Sequence, residues 1–339
     1  MTENPQVPAL GAVLIKDDKV EGSAVRGMRR NDRPDPVQPS DVWIIGSDAK
    51  AMTATMVARL VDRGLLRWNE RLDEMLPEIA RAGRPEYRGV TLVQLLSHRA
   101  GLAHDLADEK QFGLIGQSHQ TTREQRLAYL RLALKDPPIS RPGSAFSYSN
   151  TGYLVAAAAA ERATGRSYER LMREELFGPL GMGSAGFGAL PPGQPSGHSH
   201  GHPATAADLN PLFFAPAGNI YLSLSDWAKF CIDQLAGARG HGRVLRPQTY
   251  RFVQTSQGDS GYGLGWGILA SVVGRAGPAL AHSGSDGNWF AEVVLFPRFR
   301  SGVLVVSNAG EDMGGDKADS VVIKAVLPDL VPPASPAKQ

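Results

Sequence analysis

Apolar residues change their spacing along this chain, and the changes divide it. Ala9 to Lys16 is a near-continuous apolar run, Asp17-Asp18 reads as a turn, and Val20 to Arg26 alternates. This pattern predicts a β-hairpin. Arg29 to Ser40 is polar and proline-containing, hence a loop. Trp43-Ile44-Ile45-Gly46 leads into helical spacing from Ser47 to Gly64, where Ser47 suits an N-cap and Gly64 a helix end. From about Arg67 to Ala236 the spacing is mostly helical, with helices predicted over Thr91–Ser97, Arg123–Leu134, Thr151–Thr164 and Ser225–Leu235. Gly186 to Pro203 is poor in regular structure. Beyond Gly258 the texture turns β-branched and aromatic, and strands are predicted at Gly263–Val273, Ala279–His282, Trp289–Phe296 and Gly302–Ser307. Asp316–Val326 reads as a closing helix, and the proline-rich Pro328–Gln339 as a loose tail. No internal repeat is evident.

Strands at both ends with helices between them predict an α+β sandwich. An antiparallel sheet flanked by helices is built from residues 8–66 and 240–327, with a mainly helical domain, 67–239, inserted. A cleft is expected where the two meet, a common place for ligand sites. With 339 residues, 42% hydrophobic and 21% charged, the chain has ample material for a large core. Net charge is +2, and the nine lysines and 27 arginines form no basic stripe, so nucleic acid is not an expected partner. The one cysteine, Cys231, lies on an apolar helix face and suits core packing. The longest apolar run, Tyr153–Ala160, falls short of the ~20 residues of a membrane span. Met1 to Pro5 has no basic region leading into an apolar stretch, so no signal peptide is expected. The expected location is cytoplasmic, or periplasmic or secreted if a leader was removed.

Three short segments carry candidate chemistry. Ser47 and Lys50 stand at i and i+3 on a predicted helix start, so the amine reaches the hydroxyl. A serine needs a base, and a lysine serves only if burial or positive potential lowers its pKa. The spacing alone is weak, because 24 serines and nine lysines give roughly one such pair by chance. Indeed Ser335 and Lys338 repeat it in the tail. Tyr148-Ser149-Asn150 lies in a turn-rich loop ahead of an alanine-rich helix. Tyr148 could exchange a proton with Ser47, and Asn150 could bind a substrate carbonyl or Lys50; equally, Asn150 could merely cap the helix. His282-Ser283-Gly284-Ser285 sits where a short strand meets a turn, offering backbone N–H groups to an oxyanion, or forming a plain strand end.

Taken together and in order, these segments resemble the serine β-lactamase and penicillin-recognising DD-peptidase superfamily, in its class C β-lactamase-like branch. The resemblance covers residues 8 to 327. It rests on Ile45–Lys50, Leu95–Leu102, Phe146–Tyr153, Pro179–Met182, Ala215–Gly218, Tyr262–Trp266 and His282–Gly284. It implies a β-lactamase/transpeptidase-like fold and a serine hydrolase with Ser47 as the acylated nucleophile. Lys50 and Tyr148 would share base and acid duty, in an order left open. Asn150 would orient substrate and lysine. The N–H groups of Ser47 and Ser285 would form an oxyanion hole, with Gly284 allowing close approach. No metal or cofactor is implied. The expected substrate is a small ester or amide, with a D-amino acid peptide (DD-carboxypeptidase or D-aminopeptidase activity) as the alternative, and a non-catalytic penicillin-recognising protein as a third reading. The third motif begins with His282 where β-lactamases have lysine, at a position that helps bind a substrate carboxylate. A neutral imidazole attracts an anion less, unless a nearby acid keeps it charged; efficient β-lactam turnover is therefore not expected.

Other residues invite weaker readings. His198, His200 and His202 alternate, the spacing that puts three metal ligands on one side of a strand, but lie among Gly and Pro without a clear carboxylate or Cys partner. His98 follows an apolar helix and suits a structural hydrogen bond. Tyr262 and Trp266 suit a cleft wall or sheet core. Gly310–Gly315 lacks the Lys-Ser/Thr of a phosphate loop.

Overall fold

Alternation along Ala9–Lys16 (β1) sends Ala9, Val13 and Ile15 to one face and Leu10, Ala12 and Leu14 to the other. In the computed structural model, which describes residues 6–334, β1 turns at Asp17-Asp18 into β2 (Lys19–Gly27). Both aspartates have positive φ, 49° and 60°, the conformation a tight hairpin turn requires. Four strands from the far end of the chain complete the sheet: β3 (Gly267–Val272), β4 (Arg275–Ser285), β5 (Phe290–Phe296) and β6 (Ser301–Ser307). Their order is β2-β1-β6-β5-β4-β3, antiparallel throughout. The first strand thus pairs with the last, Leu10 opposite Ser307 and Ile15 opposite Gly302. β6 is buried at every position, so it reads as unbroken apolar sequence, Val303-Leu304-Val305-Val306. β2 is one of the two edges, exposed along most of its length, and carries Lys19, Glu21 and Arg26.

Helices cover both faces. The last helix packs Ile323, Leu327 and Leu330 against Val294, Phe296, Val303 and Val305. The opposite face, with Val293, Leu295, Leu304 and Val306, joins a larger core shared with α1 (Ala49–Asp62), α2 (Thr122–Ala133), α3 (Asn150–Thr164) and α4 (Leu224–Ala238). α1 is buried along almost its whole length, from Ala49 to Ala58 and at Leu60. The alanines Ala156–Ala160 of α3 are all buried, and their small side chains let α3 lie close to α1. Among the described residues no helix is long and apolar enough to cross a membrane.

The α+β sandwich with its antiparallel sheet is present as the pattern predicts. Several boundaries differ. The strand expected from Gly263 starts at Gly267, because Gly265 sits at φ 80° with its backbone pressed on α1; a Cβ there would lie 2.6 Å from Ala51 Cα. The short strand Ala279–His282 extends to Arg275–Ser285, so His282 lies inside a strand. The closing helix, α5, spans Gly315–Leu330, so Pro328 lies in its last turn rather than opening a loose tail. Burial of Leu327, Leu330 and Val331, and a bridge between Arg275 and Pro333, hold that end on the sheet. Residues 335–339, with the second Ser-x-x-Lys spacing at Ser335 and Lys338, lie outside the described residues, as does Met1–Pro5. Because α4 packs on β1 and β6, we propose that the sheet unit resumes before α4, ahead of the expected boundary at 240.

Candidate active site

The nucleophile candidate is placed by a strand and a forced turn. Val42–Ile44 pairs with Ile220–Ser223, and the chain then turns through the 3-10 segment Gly46–Asp48 into α1. Gly46 has φ 49°, and a Cβ on it would collide with the backbone N of Ser285. Reciprocally, a Cβ on Gly284 would strike Ile45 O and lie 2.6 Å from Ser47 N. Two glycines therefore let the end of β4 lie directly on the turn that carries Ser47. Ser47 does not cap the helix, contrary to the sequence expectation; the start has no side-chain cap, and the hydroxyl is engaged by Lys50 instead.

Lys50 is fully buried. Its Nζ donates to Ser47 Oγ at 2.9 Å and to Ala217 O at 2.7 Å. It also lies 4.8 Å from the centroid of the Tyr148 ring. Burial pulls its pKa down to about 7, against the upward pull of Asp105 and Asp48. Tyr148 projects from the loop before α3 towards Ser47. Burial raises its phenol well above the usual range, partly offset by hydrogen bonding to Ser47. The His98 ring packs on Tyr148 with centroids 4.3 Å apart. His98 has φ 58°, and its Nδ1 accepts the Ser149 N–H at 3.0 Å, so it holds the Tyr148 loop by a structural hydrogen bond.

Asn150 is the first residue of α3, but its side chain does not cap that helix. Its Nδ2 donates to both oxygens of Asp105, at 2.9 and 3.1 Å. A carboxylate only accepts, so this contact fixes the amide's orientation. Asn150 Oδ1 is left buried without a partner. Asp105 also meets His104 Nδ1 at 2.6 Å.

His282 is buried, and both its nitrogens are used within the protein. Nδ1 donates to Ser283 O at 2.8 Å, and Nε2 accepts from the Tyr262 hydroxyl at 3.0 Å. Asp48 lies 3.5 Å from Nδ1, the neighbouring acid that the sequence reading entertained. It does not keep the ring charged: burial, with the nearby Lys50, lowers the His282 pKa to about 3. Burial, with Glu292 and Asp319 nearby, raises the Asp48 carboxyl well above its usual value.

A cavity of about 600 Å³ opens over this group, lined by Ser47, Tyr148, Asn150 and Ser283–Ser285, with Phe112 and Phe214 on one wall. His282, on β4 itself, is not part of the lining, although its ring centroid lies 6.4 Å from that of Tyr148.

The other candidates fall elsewhere. His198 is buried, bonded through Nδ1 to Asn308 O at 2.8 Å and through Nε2 to Asn31 N at 3.1 Å. His200 and His202 are exposed, so the three do not converge. Trp266 stacks on Phe230 in the core, and Cys231 is buried in α4. Gly310–Gly315 leads into α5, with Gly310 N donating to His198 O. Sequence reasoning missed Asp105 and the Ala217 carbonyl. Ala217 lay within a recognised motif; Asp105 lay just past one, and only its contact with Asn150 singles it out.

A family profile described as Beta-lactamase matches residues 1–327. Among curated proteins, the chain is 28% identical over 299 residues to penicillin-binding protein 4 of Amycolatopsis lactamdurans, covering 81% of this chain and 74% of that protein. It is 29% identical over 289 residues to the D-alanyl-D-alanine-carboxypeptidase/endopeptidase AmpH of Escherichia coli K12, covering 79% and 71%. Among solved structures it resembles the octameric penicillin-binding protein homologue from Pyrococcus abyssi (TM-score 0.78, 22% identity, 96% of this chain and 74% of that one). It also resembles a D-stereospecific amidohydrolase from Streptomyces sp. (TM-score 0.75, 22% identity, 94% and 93%).

Proposed function

The chain belongs to the Beta-lactamase family and is an enzyme of its serine hydrolase class; on that premise we propose that it cleaves small esters or amides through an acyl-enzyme on Ser47. The observation that carries this reading is the buried amine of Lys50, 2.9 Å from Ser47 Oγ and with its pKa lowered to about 7. Near neutrality a large fraction of that amine is unprotonated and can accept the serine proton. Tyr148 is a weaker candidate for first base, because burial favours its neutral phenol. Its place beside Ser47 suits proton donation to the leaving group.

In the proposed cycle, Lys50 takes the Ser47 proton as Oγ attacks the substrate carbonyl. The backbone N–H groups of Ser47 and Ser285 receive the oxyanion, which their close packing through Gly46 and Gly284 supports. The proton passes through Tyr148 to the leaving alcohol or amine. Water then attacks the acyl carbonyl and loses its proton to the same pair, which returns it to Ser47 Oγ as the acid is released. Asn150, held by Asp105, orients the substrate. His282 ties β4 to Tyr262 through the hydrogen bond at its Nε2.

A fluorophosphonate probe tests this directly. It is expected to add one covalent label, which peptide mass spectrometry locates on Ser47, and Ser47→Ala is expected to abolish it. Labelling that survives the substitution overturns the nucleophile assignment.

A further inference from the structure

The cavity over Ser47 is lined by four carboxylates, Asp105, Glu109, Asp286 and Glu311, and among the described residues by no lysine or arginine. Its one other titratable side chain besides Tyr148 is His104, already committed to Asp105. A second, independent feature is Asn150. It is 7% exposed and lines the same cavity, and its Oδ1 has no partner. With Nδ2 tied to Asp105, the group is fixed as an acceptor, open to an N–H or O–H donor from a ligand. A third feature concerns anions. His282, at the position where the resembling β-lactamases bind a carboxylate, is not among the lining residues, and both its nitrogens are already bonded. The lining thus offers acceptors and negative charge to a ligand, and no fixed cation.

Resting on the serine hydrolase reading above, we propose that the substrate carries an ammonium group: an aminoacyl amide or ester with a free amine, seated against Asp105, Glu311 and the Asn150 carbonyl oxygen. A carboxylate-bearing substrate, β-lactams included, meets an acidic wall without a counter-charge. The reaction is ordinary acyl transfer. Ser47 Oγ displaces the amine or alcohol, which leaves with a proton, and water completes hydrolysis.

The test uses alanine p-nitroanilides, in D and L form, with the amine free, N-acetylated or N-succinylated, so that one scaffold carries positive, zero or negative charge. kcat/KM is expected to fall at least about tenfold from free amine to acetyl, and further to succinyl, with the gap narrowing as salt rises to about 0.5 M. The double variant Glu109→Gln, Glu311→Gln is expected to shrink the ratio of free-amine to acetyl turnover severalfold. In parallel, second-order inactivation rates at Ser47 are measured with three aryl phosphonates differing only in a terminal ammonium, acetamide or carboxylate. These report the same order without requiring anilide turnover. If Ser47 is labelled and p-nitrophenyl butyrate is hydrolysed, but the neutral or anionic phosphonate reacts as fast as the cationic one, this inference falls and the hydrolase reading stands. If neither labelling nor butyrate hydrolysis occurs, the hydrolase reading falls and takes this inference with it.

Discussion

Lys50 is a charged residue type in a site that disfavours charge, and that conflict makes it useful. Burial lowers its pKa to about 7, so its base form accumulates as pH rises. On a neutral ester, kcat/KM is expected to climb across pH 7 with a one-proton limb and then level. Lys50→Ala is expected to cost about 10²- to 10⁴-fold in acylation and remove that limb. Tyr148→Phe is expected to lower the rate and leave the limb in place, because the phenol stays protonated throughout this range. A limb that survives in Lys50→Ala would move the base role to another group. The same shift bears on stability. The folded-state pKa lies below the unfolded value of 10.5, so the lysine's contribution is full above pH 10.5 and is lost as pH falls through 7.

Between elements, the decisive contact is the end of β4 against the turn before α1. Gly46 and Gly284 face each other there with no room for a methyl group on either side. Gly284→Ala forces the Ser285 N–H away from Ser47. The labelling rate is expected to fall about a hundredfold, the scale of losing one oxyanion donor, with the circular dichroism spectrum retained. Labelling at the wild-type rate would show that this strand end has no part in binding the oxyanion. The loop before α3 is held comparably. His98 receives the Ser149 N–H, Ser149 Oγ donates to Ala103 O at 2.6 Å, and Asn150 grips Asp105. Tyr148 and Asp105 are therefore set by one interlocked loop pair.

Across the whole molecule, the helical side is pinned by a buried charge network. Arg126 on α2 is fully buried, donates to Glu161 on α3 at 2.6 Å and to Phe213 O at 3.1 Å, and reaches Glu169 at 3.4 Å. Glu161 also accepts the Tyr168 N–H. Arg126→Ala leaves that carboxylate in an apolar interior and is expected to cost about 3–5 kcal/mol in urea unfolding. A loss below about 1 kcal/mol would mean the pair is not isolated from water. α3 carries Glu161 near one end and Asn150 at the other, so the same variant is expected to blunt acylation even where the protein remains folded.

How much of this was legible beforehand follows from the range of each interaction. Strand and helix types came through because alternation and helical spacing are local, and the Ser47–Lys50 contact came through because one helical turn brings i and i+3 together. Boundaries shifted where a distant partner intervened, as at Gly265 under α1 and Pro328 on the sheet. Ser47's hydroxyl went to lysine rather than to a cap, and Asn150's amide to Asp105, because the fold sets each partner beside it. By itself the sequence determined the elements, their order around a split sheet, and a serine with an amine in reach. Only the tertiary structure decided that the amine is desolvated enough to act as a base near pH 7, that His282 is neutral with both nitrogens engaged, and that carboxylates far apart in the chain share one cavity. Desolvation and charge proximity are properties of packing, and no run of neighbouring residues encodes them.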